Sequence, residues 1–175
     1  MRHRVAIGFC CALICAPISA AAKWAPDHLQ TSLGILGLVN SAQTRSFFNT
    51  IHLDAAWDIR APWGIKLGYR PALRQSGSTK IQTLTHVHYL QSSLNYRHLG
   101  DFFLWSAECG PYLRSEYTRL STPEQTKRYE RQNAGLTLAG AAGIPFAEDA
   151  FAQMTFGFYL RNKNVDLYWT IGVNF

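Results

Sequence analysis

At 175 residues, 47% apolar and only 16% charged, the chain has the length of one domain and less charge than an ordinary soluble one carries. Mean hydropathy is -0.09, and past the amino terminus no apolar run reaches the ~18 residues of a spanning helix, so any membrane crossing has to be made by strands. The formal charge of +6 has no Lys/Arg-rich run behind it, which excludes nucleic acid as an expected partner and favours anionic lipid headgroups instead.

In chain order, Arg2, His3 and Arg4 precede an apolar run over residues 5–15, followed by the small-residue stretch Pro17-Ile18-Ser19-Ala20-Ala21-Ala22. Residues 1–22 are expected to be a removed signal peptide and residues 23–175 the mature domain. Phe9, Cys10 and Ile14 stand before Cys10, Cys11 and Cys15, which argues against a lipid-modified cysteine. Removal leaves 15 basic against 11 acidic residues, a formal charge of +4, and Cys109 as the remaining cysteine, so no internal disulfide is expected.

The mature chain then reads as about eight alternating segments broken by turn residues. Residues 31–40 contain Gly34 and Gly37 and do not declare which face is which. Residues 47–58 put Phe47, Ile51, Leu53, Ala55 and Trp57 on one side, with Thr50, His52, Asp54 and Asp58 on the other. After the turn around Pro62, Ile65, Leu67, Tyr69 and Leu73 alternate with Lys66, Arg70 and Arg74. A hairpin centred on Pro62 would set Asp58 opposite Lys66 and Asp54 opposite Arg70. Residues 80–96 have mixed parity, Ile81, Val87 and Tyr89 against Leu90, Leu94 and Tyr96, which calls for a β-bulge near Tyr89 and Leu90.

Order returns with Phe103, Trp105, Ala107, Cys109, Pro111 and Leu113 facing one way and Ser106, Glu108, Gly110, Tyr112, Arg114 and Glu116 the other. Pro111 cannot donate a ladder hydrogen bond, so a bulge or distortion is expected there. Residues 118–129 form the longest non-apolar interval and read as a loop, the expected site of an extracellular partner. Residues 133–144 are poor in bulk. Residues 152–161 alternate Ala152, Met154, Phe156, Phe158 and Leu160 with Gln153, Thr155, Gly157, Tyr159 and Arg161. The last segment alternates without a break, Val165, Leu167, Trp169, Ile171, Val173 and Phe175 against Asp166, Tyr168, Thr170, Gly172 and Asn174, and Arg161 stands within reach of Asp166.

These strands predict an all-β fold: an eight-stranded antiparallel up-and-down transmembrane β-barrel, apolar face to lipid. Aromatic residues assigned to strand ends, Phe47, Trp57, Trp63, Tyr69, Phe103, Trp105, Trp169 and Phe175, suit two interfacial girdles. Alternation alone leaves open a soluble lipocalin-like ligand binder with the apolar face turned inward. Eight strands enclose only enough room for side chains, so no large pore is expected. Asp54, Asp58, Lys66, Arg70, Glu108, Arg114, Glu116, Arg161 and Asp166 are the expected interior charge network.

The succession Tyr89-Leu90, Leu94-Asn95-Tyr96-Arg97, Phe102-Phe103-Leu104-Trp105, Cys109-Gly110-Pro111-Tyr112-Leu113, Ala134-Gly135-Leu136 and Ala139-Gly140-Ala141-Ala142-Gly143-Ile144, closed by an aromatic carboxy terminus, resembles small outer-membrane β-barrel proteins of the porin-family or OmpA-like β-barrel-domain type. The resemblance covers roughly residues 88–175. It implies the outer membrane of a Gram-negative bacterium and no single activity. It further implies that Trp169, Ile171, Val173 and Phe175 are a carboxy-terminal signal read by the barrel-insertion machinery.

The function expected is structural, adhesive or surface-interacting, in a monomer surrounded by outer-membrane lipid, without catalysis, cofactor or metal. The alternative is a lipid A-modifying acyltransferase or deacylase, for which His86, His88, Ser92, Ser93 and Glu108 are the available residues, although no compact His-x-Ser pair is present.

Overall fold

Period-two alternation along almost the whole mature chain becomes eight antiparallel strands closed into a barrel. The computed structural model describes residues 25–39, 45–78, 81–100, 102–147, 150–162 and 164–175; the expected signal segment, residues 1–22, lies outside the described residues. The strands are β1 (His28–Val39), β2 (Arg45–Arg60), β3 (Trp63–Gly77), β4 (Gln82–Leu99), β5 (Leu104–Ser121), β6 (Thr126–Ala147), β7 (Ala150–Arg161) and β8 (Asn164–Asn174). Each pairs with the next, and β1 meets β8 from Gln30↔Asn174 to Val39↔Val165. At the seam, Leu29 and Phe175 exchange backbone hydrogen bonds of 2.9 and 2.8 Å. The carboxy terminus and the turns after β2, β4 and β6 share one end, the terminal end. The other connections lie at the opposite, distal end.

The apolar parity faces outward. Leu33, Leu53, Leu67, Leu94, Leu113, Leu136, Met154, Phe156 and Ile171 are all exposed, whereas Asp54, Lys66, Arg70, Glu108, Arg114 and Asp166 are buried inside. That polarity overturns the lipocalin-like alternative, which would place the apolar side chains within. It also settles β1: Gln30, Ser32 and Leu36 point inward, and Leu29, Leu33 and Ile35 outward.

Several sequence expectations are corrected. Asp58 stands opposite Gly64 and Asp54 opposite Gly68, because the β2–β3 turn is tighter than a hairpin centred on Pro62 and the register shifts between Asp58 and Arg60. No bulge occurs near Tyr89 and Leu90, since β4 keeps one register with β3 from Trp63↔Tyr96 to Gly77↔Gln82. Val87 and Tyr89 are apolar or aromatic residues of the lumen face, while Leu90, Leu94 and Tyr96 are outward. Pro111 causes no slip either: the β4–β5 pairing passes from Gln91↔Tyr112 to Leu94↔Cys109 in one register, and β5–β6 runs unbroken through Pro111↔Leu136. Trp169 stands midway along β8 rather than at a strand end, paired with Ile35 and Phe156.

The interval 118–129 is not an irregular loop. Strand pairing continues to Ser121↔Thr126, and Thr122 and Gln125 close the turn with reciprocal backbone and hydroxyl hydrogen bonds of 2.9–3.2 Å. Pairing of β6 with β7 starts only at Leu136↔Leu160. Residues 126–135 therefore have a strand neighbour on one side alone among the described residues, and the β5–β6 hairpin projects past the closed wall.

Room inside is set by glycines opposite large residues. A Cβ on Gly157 would enter the ring of Tyr168, whereas one on Gly140 would meet only the Ser106 carbonyl at 3.7 Å. Overpacking a filled core costs about 1–3 kcal/mol. Gly157→Val should destabilise the barrel by at least that amount in denaturant unfolding in micelles, and Gly140→Ala should leave the midpoint unchanged.

Candidate functional site

The lumen holds the densest chemistry in the molecule, arranged in two charge cages along the barrel axis. Nearer the terminal end, Lys66 Nζ lies 3.3 Å from Asp54 Oδ2 and 2.5 Å from Glu108 Oε2. The register explains the reach. Gly68, opposite Asp54, has no side chain to separate the carboxylate from the next strand, so Lys66 one pair away spans diagonally to Asp54 and across the lumen to Glu108. Gln91 Nε2 (3.2 Å) and the Tyr168 hydroxyl (3.3 Å) also donate to Glu108.

Arg70 does not pair with Asp54. Its guanidinium lies over the Tyr168 ring, 3.7 Å from the centroid, and donates to the Tyr159 hydroxyl. A cation held on an aromatic face is attracted by the ring quadrupole, most strongly where water is excluded. The sequence pointed to carboxylates as arginine partners, but Arg70 reaches tyrosines of β7 and β8 across the lumen instead.

Nearer the distal end the focus is Asp166, fully buried on β8. It accepts from Arg161 Nη2 at 2.8 Å and from the Tyr89 hydroxyl at 2.8 Å, with Arg114 Nε 3.7 Å away. Arg114 also donates to Tyr89 at 3.1 Å and pairs with Glu116 at 2.8 Å. Tyr159 couples the two cages: its hydroxyl donates to Gln91 at 2.9 Å while its ring stacks on Tyr89 at 4.1 Å.

Of the nine residues expected inside, eight are brought into these cages, four acids balanced by four bases. Asp58 is the exception. It sits exposed at the terminal rim, 3.0 Å from His28 Nε2, with its own amide bound to Asp27.

Tyr89, Tyr112, Tyr159 and Tyr168 form an aromatic column through the lumen, with adjacent centroids 4.1–5.7 Å apart. Alternation marked Tyr112, Tyr159 and Tyr168 as inward but could not show that residues from β4, β5, β7 and β8 converge. His52 is likewise buried, edge-on to Tyr168 at 5.1 Å.

The residues available for a hydrolytic set are separated. His86, His88 and Ser92 share the outward parity of β4, while Ser93 and Glu108 face the lumen; no hydrogen bond joins any two of the five among the described residues. His88 Nδ1 instead lies 2.8 Å from the Tyr69 hydroxyl. At the terminal end, Trp63, Tyr96 and Trp105 pack in succession on the outer wall at 5.0 and 5.1 Å.

Removing one partner of a buried ion pair strands the other charge, at a cost of about 3–5 kcal/mol. Lys66→Met leaves Asp54 and Glu108 facing each other and should lower stability by that order in denaturant unfolding. Adding Asp54→Asn and Glu108→Gln should recover most of the loss.

No family model and no curated protein matches the chain. Its fold does match solved structures. Ail, the attachment invasion locus protein of Yersinia pestis, aligns with a TM-score of 0.63 at 11% identity, covering 85% of this chain and 98% of that one. Neisserial surface protein A aligns at 0.60 and 10% identity over 84% and 94%, and the outer membrane protein OprG of Pseudomonas aeruginosa at 0.58 and 11% over 86% and 95%. The likeness is one of fold: this chain is an eight-stranded antiparallel barrel of the kind found in small outer-membrane proteins.

Proposed function

We propose that the protein is an integral outer-membrane β-barrel of a Gram-negative envelope, with a side-chain-filled lumen and a structural, adhesive or surface-interaction role. The observation that carries this reading is the inversion of polarity: an exposed apolar exterior around a buried, charge-balanced interior. Bilayer hydrocarbon stabilises such an exterior, and a closed sheet satisfies every backbone group within it. The reading assigns the barrel no catalytic step, and takes it to act as a monomer.

The contact surface in this reading is the projecting β5–β6 hairpin. Its tip carries Glu124 and Lys127, both exposed. With the chain termini periplasmic, the hairpin stands outside the cell. Two results test the proposal together. The mature protein should stay with the outer membrane until detergent is added and should migrate faster unheated than boiled. Trypsin applied to intact cells should cut at Lys127. Recovery in the soluble periplasmic fraction would sink the proposal.

The carboxy-terminal residues Trp169, Ile171, Val173 and Phe175 are proposed as the signal for the insertion machinery. All four share the outward parity of β8, and Phe175 also makes the last backbone contact of the seam with Leu29. Deleting Phe175 should reduce the heat-modifiable, membrane-inserted fraction severalfold. Restoring an aromatic with Phe175→Tyr should recover it.

A further inference from the structure

The outer wall at the distal end carries a feature that neither the lumen nor the hairpin's contact role explains. Arg119 on β5 and Arg128 on β6 are directly opposite in register and therefore share a face. Both are exposed, and neither forms an ion pair among the described residues. Like charges directly opposed across two strands oppose pairing. Glu130, two residues from Arg128 on that face, accepts from Gln132 instead.

The position of the pair along the wall is informative. On β5 the outward residues pass from Cys109, Pro111 and Leu113 to Ser115, Tyr117 and Arg119; on β6 they pass from Leu138, Leu136 and Ala134 to Gln132, Glu130 and Arg128. The arginines therefore stand just beyond the apolar band, where headgroups lie. Beside them is a shelf of rings: His86 lies opposite Tyr117 in register, His86 and His88 are parallel at 6.4 Å, and His88 meets Tyr69 at 6.0 Å and Tyr117 at 6.0 Å. Amphipathic rings of this kind suit the membrane interface.

Beside the shelf the wall is grooved. Pro71 has no N–H to donate, and the β2–β3 pairing skips from Thr50↔Ala72 to Leu53↔Tyr69 around it. The Thr50 hydroxyl donates to the Pro71 carbonyl at 2.9 Å. An open apolar groove lies there, lined by Leu33, Ile51, Pro71 and Leu73 and bounded by His86 and His88. The groove meets the ring shelf at His86 and His88, and the shelf leads through Tyr117, opposite His86, to Arg119 two residues further along β5.

We propose that this stretch of outer wall holds one lipid with an anionic phosphomonoester headgroup, its chain in the Pro71 groove and its phosphate between Arg119 and Arg128. A phosphate between two guanidiniums offsets their repulsion and matches their planar donor forks. The apolar groove leading to the same point selects a lipid over a free anion. The inference rests on the exterior facing a bilayer. It fails separately from that reading, because a barrel that fractionates with membranes can still lack lipid selectivity.

The test is native mass spectrometry of the full mature chain in detergent, titrated with phosphatidic acid, with phosphatidylcholine as the neutral-headgroup control and inorganic phosphate as competitor. The expected result is one retained phosphatidic acid, little phosphatidylcholine, and no displacement by inorganic phosphate. Arg119→Gln with Arg128→Gln should weaken retention about tenfold. Arg131→Gln, on the opposite face of the same strand and across from Glu116, should leave it unchanged. His88→Ala, which spares both arginines, should weaken it to a lesser degree. Equal retention of the two lipids, an equal loss in Arg131→Gln, or displacement by inorganic phosphate would overturn the proposal.

Discussion

A sheet in hydrocarbon can have no edge, because each unpaired amide or carbonyl there costs several kcal/mol. The β1–β8 seam meets that constraint, and the rest of the molecule follows from it. Once β1 and β8 pair from Gln30↔Asn174 to Val39↔Val165, eight strands enclose a space only wide enough for side chains. Everything of odd parity on β8 and β1 must then suit lipid, and everything of even parity must fit the lumen. Where the constraint lapses, past Gly135 on β6, an edge is left unpaired and its residues turn charged.

Filling the lumen with ions is not a route to high stability, since burying a pair costs about what its attraction returns. The arrangement avoids stranded charge. Lys66 answers two carboxylates, Asp166 answers Arg161 and approaches Arg114, and Arg70 is accommodated on tyrosine rings where no acid reaches it. Bulk is matched to this. Gly68, Gly135 and Gly157 open the positions into which Asp54, Gln91, Tyr112 and Tyr168 fit, so the glycines and the tyrosine column form one packing solution.

The same physics explains what could be read from the chain. Strands β5, β7 and β8 have strict alternation, and Glu108, Arg114, Arg161 and Asp166 lie where parity placed them. The Arg161–Asp166 pair was legible because both residues flank one short turn. Strand β4 misled because the lumen also needs bulk: Val87 and Tyr89 are apolar for packing inside, which looks like a change of face. The β2–β3 register misled because the tighter turn and the shift near Asp58 together move every cross-strand partner by two residues, which leaves each facing between Asn49 and Ala56 unchanged. Residues 118–129 misled because a projecting hairpin wetted on both faces has no apolar period to announce it.

By itself the sequence determined the strand count and which residues of most strands share a face, because those depend only on a two-residue period and local turns; which face turns inward was decided by closure of the barrel. Apart from Arg161 and Asp166, which charges meet was decided by the tertiary structure alone. Lys66 reaches Glu108, Arg70 reaches Tyr159 and Tyr89 reaches Asp166 across the lumen, between strands that are not consecutive in the chain. Such contacts depend on stagger and closure, which belong to the assembled barrel and to none of its strands.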